Sequence, residues 1–211
     1  MLFDSPSLVR QIVSLHADTV GRWHEAPFTG PDGARLDNSY TGLLAVICQQ
    51  HQYNFLLWHE EDIARRPDAG DDQIAGVKRS IDNLNQQRND WIERVDETLI
   101  QMLTTGGVAA DAAARLNTET PGSACDRLSI MSLRIFHLQE EMAREDVDSA
   151  HHEMVQQRLA RCRVQLADLS QSLTELLSDV FAGRKLLKVY RQLKMYNDPT
   201  LNPELYKRRA G

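Results

Sequence analysis

The chain has 211 residues, enough for one domain with a sizeable core, and its 42% hydrophobic and 26% charged residues exclude an intrinsically disordered protein. No apolar run approaches the ~18 residues that cross a bilayer, and residues 1–18 contain neither a basic leader nor a long apolar core, so we expect neither secretion by that route nor a membrane-spanning protein. The net charge is −6, but eight basic and two acidic residues give the segment 184–211 a charge of +6, which leaves −12 for residues 1–183.

The first two helices are predicted from capping residues and apolar spacing. A serine at position 5 or 7 can cap a first helix, in which apolar residues recur every three or four positions as far as Trp23. The segment 25–38 contains two prolines and two glycines, which predicts a loop. A second helix follows, capped by Asn38 or Ser39, and it ends before Pro67, which has no backbone N–H to donate.

The third and fourth helices are predicted in the same way. An aspartate at position 71 or 72 caps a long third helix that lasts until Gly106. The small residues that follow have room for one short helix. Thr120 then caps a fourth helix, with Pro121 in its first turn, and apolar spacing carries this helix to Met142.

The fifth helix begins at Asp148 and has a continuous apolar seam. The seam alternates spacings of four and three, and it consists of Val155, Leu159, Cys162, Leu166, Leu169, Leu173, Leu176 and Val180. Such a seam packs against antiparallel helices of the same chain or against a second copy, so a homodimer through this helix is one prediction.

A shorter basic helix is predicted from Arg184 to Tyr196. The chain therefore predicts an all-α fold, an antiparallel bundle of about five main helices with a short basic C-terminal helix and an ordered tail. We expect residues 1–183 to form the bundle domain and residues 184–211 to dock on it. Three cysteines without metal-type spacing indicate reduced thiols and a cytoplasmic protein.

The inward line of the second helix turns from apolar to polar. At 100° per residue, the line that begins at Leu43 and Ile47 continues through His51, Asn54, Trp58, Glu61 and Arg65, with Asp62 beside it. The third helix places Asn85 and Arg88 in line with its apolar residues, and Lys78, Asp82 and Asn89 just off that line. The fourth helix adds Arg127 and Arg134.

These inward-facing groups have two interpretations. One is a buried network of salt bridges and amides that fixes the register of the helices. The other is a ligand pocket, because five cations, Arg65, Lys78, Arg88, Arg127 and Arg134, face mainly three acids, Glu61, Asp62 and Asp82. An uncompensated buried positive charge would be offset by a bound phosphate or carboxylate, so the leading hypothesis is a small anionic ligand such as a nucleotide or sugar phosphate.

Four motifs in order make the chain resemble a bacterial family of unknown function, the one numbered 4254. The motifs are NFLLWHEEDIARRP (54–67), KRSIDNLNQQRNDWIE (78–93), TPGSACDRLSIMSLRIFH (120–137) and KMYNDPTLNPELY (194–206). The resemblance covers most of the chain from the second helix onward. It implies a bacterial, cytoplasmic, all-helical protein, and it supplies no activity or ligand.

Other kinds of site are weaker hypotheses. Bundle metal sites favour Glu-x-x-His pairs, whereas here His59 precedes Asp62 and His137 precedes Glu140, with both histidines off the inward lines, so the sequence predicts neither a metal nor another cofactor. No phosphate loop, dinucleotide fingerprint or nucleophile elbow is present. The acidic body disfavours nucleic acid. An enzyme that uses Glu61 or Asp62 as acid or base stays open.

The basic tail has a predicted role at the same site. Shaped turns at Asn197 to Pro199 and Asn202-Pro203 favour a docked segment over a loose end. A docked tail would bring Lys194 and Tyr196 to the edge of the polar junction, where they would close over an anion held by Arg88 and Arg127.

Overall fold

The computed structural model describes residues 3–25, 27–28, 30–31, 36–192, 195 and 198–206. Five long helices form an all-α bundle, which confirms the predicted fold class. They are α1 (Ser5–Trp23), α2 (Gly42–Ala64), α3 (Asp71–Thr105), α4 (Pro121–Met142) and α5 (Ser149–Phe181), with a short α6 (Pro203–Tyr206). None of the helices in these ranges has the length and apolarity needed to cross a membrane.

The helix starts follow from local capping chemistry. Asp4, Thr120 and Asp148 each accept a backbone N–H of the first turn through their side chains, at the starts of α1, α4 and α5. The first helix is therefore capped by Asp4 rather than by one of the predicted serines. Helix α2 begins at Gly42, later than the predicted cap at Asn38 or Ser39, and no side chain caps it.

Contacts between helices show their directions. His16 packs on His51 and His24 packs on His59, so α1 and α2 run in the same direction. A strictly antiparallel order is therefore wrong for this pair. The cause is the long connection between the two helices, which is enough chain to return along the bundle. Helices α2 and α4 also run in the same direction, since His51 bonds Ser129 and His59 packs on His137.

Helix α4 begins in close contact with α3. A Cβ atom added to Gly122 would lie 2.4 Å from the backbone oxygen of Ile92, so only glycine fits there. The N–H of Gly122 donates to the Asp96 carboxylate at 2.7 Å. Burial raises the pKa of Asp96 to about 6, although hydrogen bonds from Thr120 and Gly122 oppose that shift. One turn later, this close approach brings Asp126 to the side of α3.

The apolar core runs the length of the bundle in two clusters. One joins all five helices around Leu99, Leu128 and Leu173, and the other joins α1 to α4 around Phe55 and Leu133. The seam of α5 is used within the chain, because α5 packs against α4 and α1. Its residues at 155, 159, 173, 176 and 180 are buried, and those at 162, 166 and 169 are half-buried.

The segment after α5 is not the predicted basic helix. The chain turns at Gly183, which has a φ of +74°, a value that favours glycine. Lys185 and Leu186 (β2) then pair in parallel with Arg115 and Leu116 (β1). Residues 187–192 continue without regular structure. The helical prediction counted the apolar spacing but not the backbone partner that β1 offers. No helix forms between residues 106 and 119, where one short helix had room.

The extended segment is held against α3 by its charges. Arg191 donates to Glu93 at 2.8 Å and to Glu97 at 2.6 Å, and the N–H of Gln192 donates to Glu93 at 2.7 Å. The basic segment thus contacts the acidic body, as docking requires.

Candidate functional site

Asp126 of α4 is the centre of a buried polar network. Its carboxylate is 5% exposed and receives Arg88 of α3 in a two-pronged ion pair, with Nε at 2.7 Å from Oδ1 and Nη2 on Oδ2. Gln50 and Asn54 of α2 donate to the same Oδ1 at 2.7 and 2.9 Å. The hydrogen bonds that Arg88 donates to the Asp126 carboxylate raise the pKa of its guanidinium group. Four donors therefore surround the one buried carboxylate, and the charges of the pair cancel.

The network continues to α1 through Ser129 and His51. Asn54 donates to the Ser129 hydroxyl at 2.8 Å, and that hydroxyl lies 2.6 Å from Nδ1 of His51. The other nitrogen of His51 lies 3.2 Å from the carbonyl oxygen of His16, which can only accept. His51 therefore donates from Nε2 and accepts at Nδ1. We call this group the Asp126 network; it consists of Gln50, His51, Asn54, Arg88, Asp126 and Ser129.

The predicted excess of positive charge at this junction is wrong. Arg88 is paired with Asp126, and Arg127 donates to both oxygens of Glu119 at 3.2 and 2.9 Å. Neither acid was among the three that the sequence suggested as partners. The charge of Arg88 is thus neutralised inside the network, as the structural interpretation requires, whereas Arg134 of α4 has no ion pair among the described residues.

Several predicted site residues lie on an exposed tip instead. Glu61 pairs with Arg65, and Lys78 pairs with Asp82, each pair one turn apart on a single helix and largely exposed. Asp62 is exposed as well. The connection at 65–68 and the first turns of α3 at 70–76 are exposed. The end of the helical hairpin formed by α2 and α3 therefore extends into solvent.

The remaining predicted residues are divided among other places. Asn85 and Asn89 are half-buried on α3. Trp58 is half-buried and stacks on His137, with ring centroids 4.6 Å apart. Arg134 is exposed and has no ion pair within the described part of the chain. Lys194 and Tyr196 lie outside the described residues, and so does the contact predicted for them.

Asp126 could not be recognised from the sequence as a buried residue, because α4 is buried on more than one side. Its buried residues include Cys125, Asp126, Ser129 and Ser132 as well as the apolar stripe. A helix surrounded by neighbours shows no single inward stripe, so a polar position beside the stripe is not recognisable as buried. The available signal was the run of small and polar residues in the motif itself, which is unusual for a solvent-facing helix side.

A cleft between α4 and α5 has a volume of about 690 Å³. It is lined by the cations Arg127, Arg134 and Lys185 and by four carboxylates, Glu119, Asp168, Glu175 and Asp179. Arg127 is already bound by Glu119, and Lys185 lies 3.8 Å from Asp179. With more acids than cations, this cleft does not favour an anion.

A second cleft, of about 330 Å³, has an apolar surface with three arginines around it. We call it the arginine cleft. Trp58, Leu138 and Cys162 give it apolar surface, and Arg134, Arg158 and Arg161 also line it. Glu141 is the one carboxylate among the described lining residues, and it is bound by Arg144 and His151. No ion pair is made by the three lining arginines with any residue that the structure describes.

A cluster of three histidines adjoins the arginine cleft through His137. One ring nitrogen each of His24, His59 and His137 lies within 4.8 Å of the others. We call these residues the histidine cluster. The directions of the helices explain it, since α1, α2 and α4 run the same way and the three residues lie at or near their C-terminal ends. The sequence argument had weighed His59 and His137 only with neighbours on their own helices, and it did not consider His24.

The architecture defines a class of protein: a five-helix all-α bundle with a buried polar network in its core and an arginine cleft and a histidine cluster at one end. The chain belongs to the family described as "Protein of unknown function (DUF4254)", whose model matches residues 44–189, and this confirms the resemblance noted in its motifs. Neither a curated protein nor a solved structure gives a significant match.

Proposed function

We propose that this protein binds a small organic anion, such as a nucleotide or sugar phosphate, in the arginine cleft. The carrying observation is that three exposed arginines, whose apolar stems line the cleft, have no ion pair among the described residues, while Glu141 beside them is already bound. Guanidinium groups bind phosphates and carboxylates through paired hydrogen bonds. The proposal keeps Trp58 and Arg134 from the predicted site and moves the ligand away from the junction of α2, α3 and α4.

The chemistry of the cleft favours an anion with an apolar or ring-shaped part. Trp58, Leu138 and Cys162 offer apolar surface, while the arginines supply charge beside it. Small-molecule sites typically combine apolar walls with a few placed polar groups, in volumes of roughly 300–1,000 Å³. A cleft of about 330 Å³ lies at the lower end of that range, which suits a ligand of modest size.

A second candidate function is an enzyme at the same end of the bundle. Glu61 is a weak candidate for the acid or base because it is paired with Arg65. Asp62 is the better one: although its side chain is exposed, partial desolvation raises its pKa above the ordinary value, and its charge interacts with His137, which lines the cleft. A role as a dimerising protein has less support, because the seam of α5 packs on α1 and α4. A bacterial, cytoplasmic location stays our expectation, in keeping with three free cysteines.

The test is thermal unfolding of the full chain with matched pairs of probes that differ only in a phosphate, for example AMP and adenosine, or glucose 6-phosphate and glucose. We expect a phosphorylated probe to stabilise the protein and its neutral partner to have no effect. A ligand at ~100 times its dissociation constant stabilises by ~2.7 kcal/mol. The effect should decrease with added salt, because the arginines are exposed.

Variants locate the binding. Arg134→Ala and Arg158→Ala should each abolish the stabilisation while the unliganded protein melts as before. Arg163→Ala is the matched control, since Arg163 is an exposed arginine on α5 that does not line the cleft. Stabilisation that survives both cleft variants, or that is lost equally with Arg163→Ala, would refute the proposed site. A wild-type protein that responds to no phosphorylated or carboxylated probe in a metabolite collection would refute the function.

A further inference from the structure

The histidine cluster is assembled from three distant parts of the chain. His24 follows the last turn of α1, His59 lies near the end of α2, and His137 lies near the end of α4. Ring centroids are 5.0 Å apart for His24 and His59, 5.0 Å for His24 and His137, and 6.0 Å for His59 and His137. Three imidazoles thus meet at one point between three helices.

Hydrogen bonds fix which nitrogen of two of the rings carries the proton. Nδ1 of His24 lies 2.7 Å from the carbonyl oxygen of Val20, and Nδ1 of His137 lies 2.8 Å from the carboxylate of Glu140. Both oxygens only accept, so both Nδ1 atoms donate. In a neutral imidazole the other nitrogen is then an acceptor, and Nε2 of His24 and of His137 each present a lone pair.

The Nε2 atoms of all three histidines are buried, and none has a hydrogen-bond partner in the part of the chain that the structure describes. Burying an acceptor without a partner is unfavourable by roughly 1–3 kcal/mol, so such atoms are rare in folded proteins. Here three occur together. Lone pairs that converge from two rings repel each other. A cation between them removes this repulsion and gives each nitrogen the partner that it lacks.

Burial favours the neutral form of two of the three rings. Burial, together with the neighbouring His24 and His137, lowers the pKa of His59 to about 4. Burial likewise lowers the pKa of His137, although Glu140 opposes the shift. Unprotonated imidazole is the form that binds a metal ion.

The surroundings hold the rings in place. Phe28 stacks on His59 at 4.7 Å between centroids, Phe136 stacks on His24 at 4.3 Å, and Trp58 stacks on His137 from the cleft side. A carbonyl or carboxylate on the second ring nitrogen is the usual outer contact of a metal-binding histidine, and it is present for His24 and His137. The nearby ends of three parallel helices add partial negative charge, which favours a cation.

We propose that His24, His59 and His137 bind one divalent transition-metal ion of the zinc type through their Nε2 atoms. Imidazole ligands suit Zn²⁺, Co²⁺, Ni²⁺ and Cu²⁺ and disfavour Mg²⁺ and Ca²⁺, which prefer oxygen. Small rotations of the rings bring nitrogens within 4.8 Å of one another to the spacing around one ion. Three protein ligands leave a fourth position for water or for a donor group of a ligand in the arginine cleft.

Binding is tested on the full-length protein after treatment with a chelator. Isothermal titration with Zn²⁺ should give one ion per chain, and Co²⁺ should give the visible absorption of a tetrahedral complex. The melting temperature should rise with Zn²⁺ or Co²⁺ and remain unchanged with Mg²⁺. Absence of stoichiometric Zn²⁺ or Co²⁺ binding would overturn the proposal.

Three variants assign the ligands. His59→Ala should reduce Zn²⁺ affinity by more than a hundred-fold. Glu140→Gln alters an exposed residue and the outer contact of His137, and should weaken binding by about 10–100-fold at unchanged stoichiometry. The matched control is the double change of His151 and His152 to Ala, which removes two adjacent histidines of α5 outside the cluster. Zn²⁺ binding that survives His59→Ala, or that is lost with the control pair, would place the ion elsewhere.

The Glu140→Gln result keeps the test decisive if His59→Ala fails to fold. Arg134→Ala provides the separation from the anion proposal, because it should leave Zn²⁺ affinity unchanged while it removes anion binding. Metal binding without anion binding refutes only the proposed function, and the reverse result refutes only the metal site.

Discussion

The Asp126 network and the histidine cluster are built on the same helices and differ in how their polar atoms are satisfied. Ser129 and His137 of α4 face His51 and His59 of α2, about two helical turns apart on each helix. In the network the Asp126 carboxylate, the Arg88 guanidinium and the Ser129 hydroxyl all have partners, and of the side-chain atoms in the network only Oε1 of Gln50 is buried without one among the described residues. In the cluster all three Nε2 atoms are buried without partners among the described residues. Satisfied polar groups stabilise a fold, whereas convergent unsatisfied donor atoms indicate a ligand.

The largest expected effect comes from Asp126→Asn, which leaves Arg88 partly buried without its counter-charge. Removing one partner of a buried ion pair typically costs 3–5 kcal/mol, and we expect that loss in urea unfolding. Asp82→Asn removes a carboxylate from an exposed pair and should change stability by less than about 0.5 kcal/mol. Zn²⁺ affinity should be unaffected in the folded Asp126→Asn protein. If Asp126→Asn lowers the free energy of unfolding by less than about 1 kcal/mol, the structural interpretation of the network is refuted.

His16 provides a second, pH-dependent comparison. Both of its ring nitrogens are buried without partners in the described ranges, but no other unpartnered nitrogen converges on them. Burial lowers its pKa to about 3. The unfolded chain, with an ordinary pKa near 6.5, therefore binds a proton that the folded chain does not, and stability falls as the pH drops below that value.

This difference at His16 alone contributes about 2 kcal/mol to the stability that the wild-type protein loses between pH 8 and pH 5. His16→Leu should remove that contribution, because leucine has no proton to bind and His51 keeps its bond to the backbone oxygen at this position. Urea unfolding of both proteins at the two pH values measures the difference. Equal pH dependence in the two proteins would show that His16 is not held neutral.

The smallest effect is expected at the exposed tip of α2 and α3. Glu61→Gln removes an ion pair that is largely in solvent, so stability should change by no more than about 0.5 kcal/mol. The same variant should leave both metal affinity and anion binding as they are. If it reduces anion binding, the original prediction of a site near Glu61 is better than the arginine cleft.

The sequence predicted the helices better than it predicted their contacts. Periodicity and breakers located all five long helices, the predicted caps were correct for α4 and α5, and the spacing along α2 and α3 identified His51, Asn54 and Arg88 as inward-facing residues. The partner Asp126 was out of reach, because a helix buried on several sides has no single stripe. The histidine cluster depends on α1 and α2 running in the same direction, and that direction is set by how a loop of some length crosses the bundle. Spacing within one helix carries no information about it.

The parallel pairing of Arg115 and Leu116 with Lys185 and Leu186 has a consequence for the order in which the protein is made. A ribosome releases the chain from its N-terminus, so the first strand emerges long before the second, with the whole hairpin of α4 and α5 still to be synthesised. Until then the first strand has only water for its backbone groups. The connection between α3 and α4 therefore acquires its final form last, when the nascent chain has passed Gly183 and its end folds back over the finished bundle.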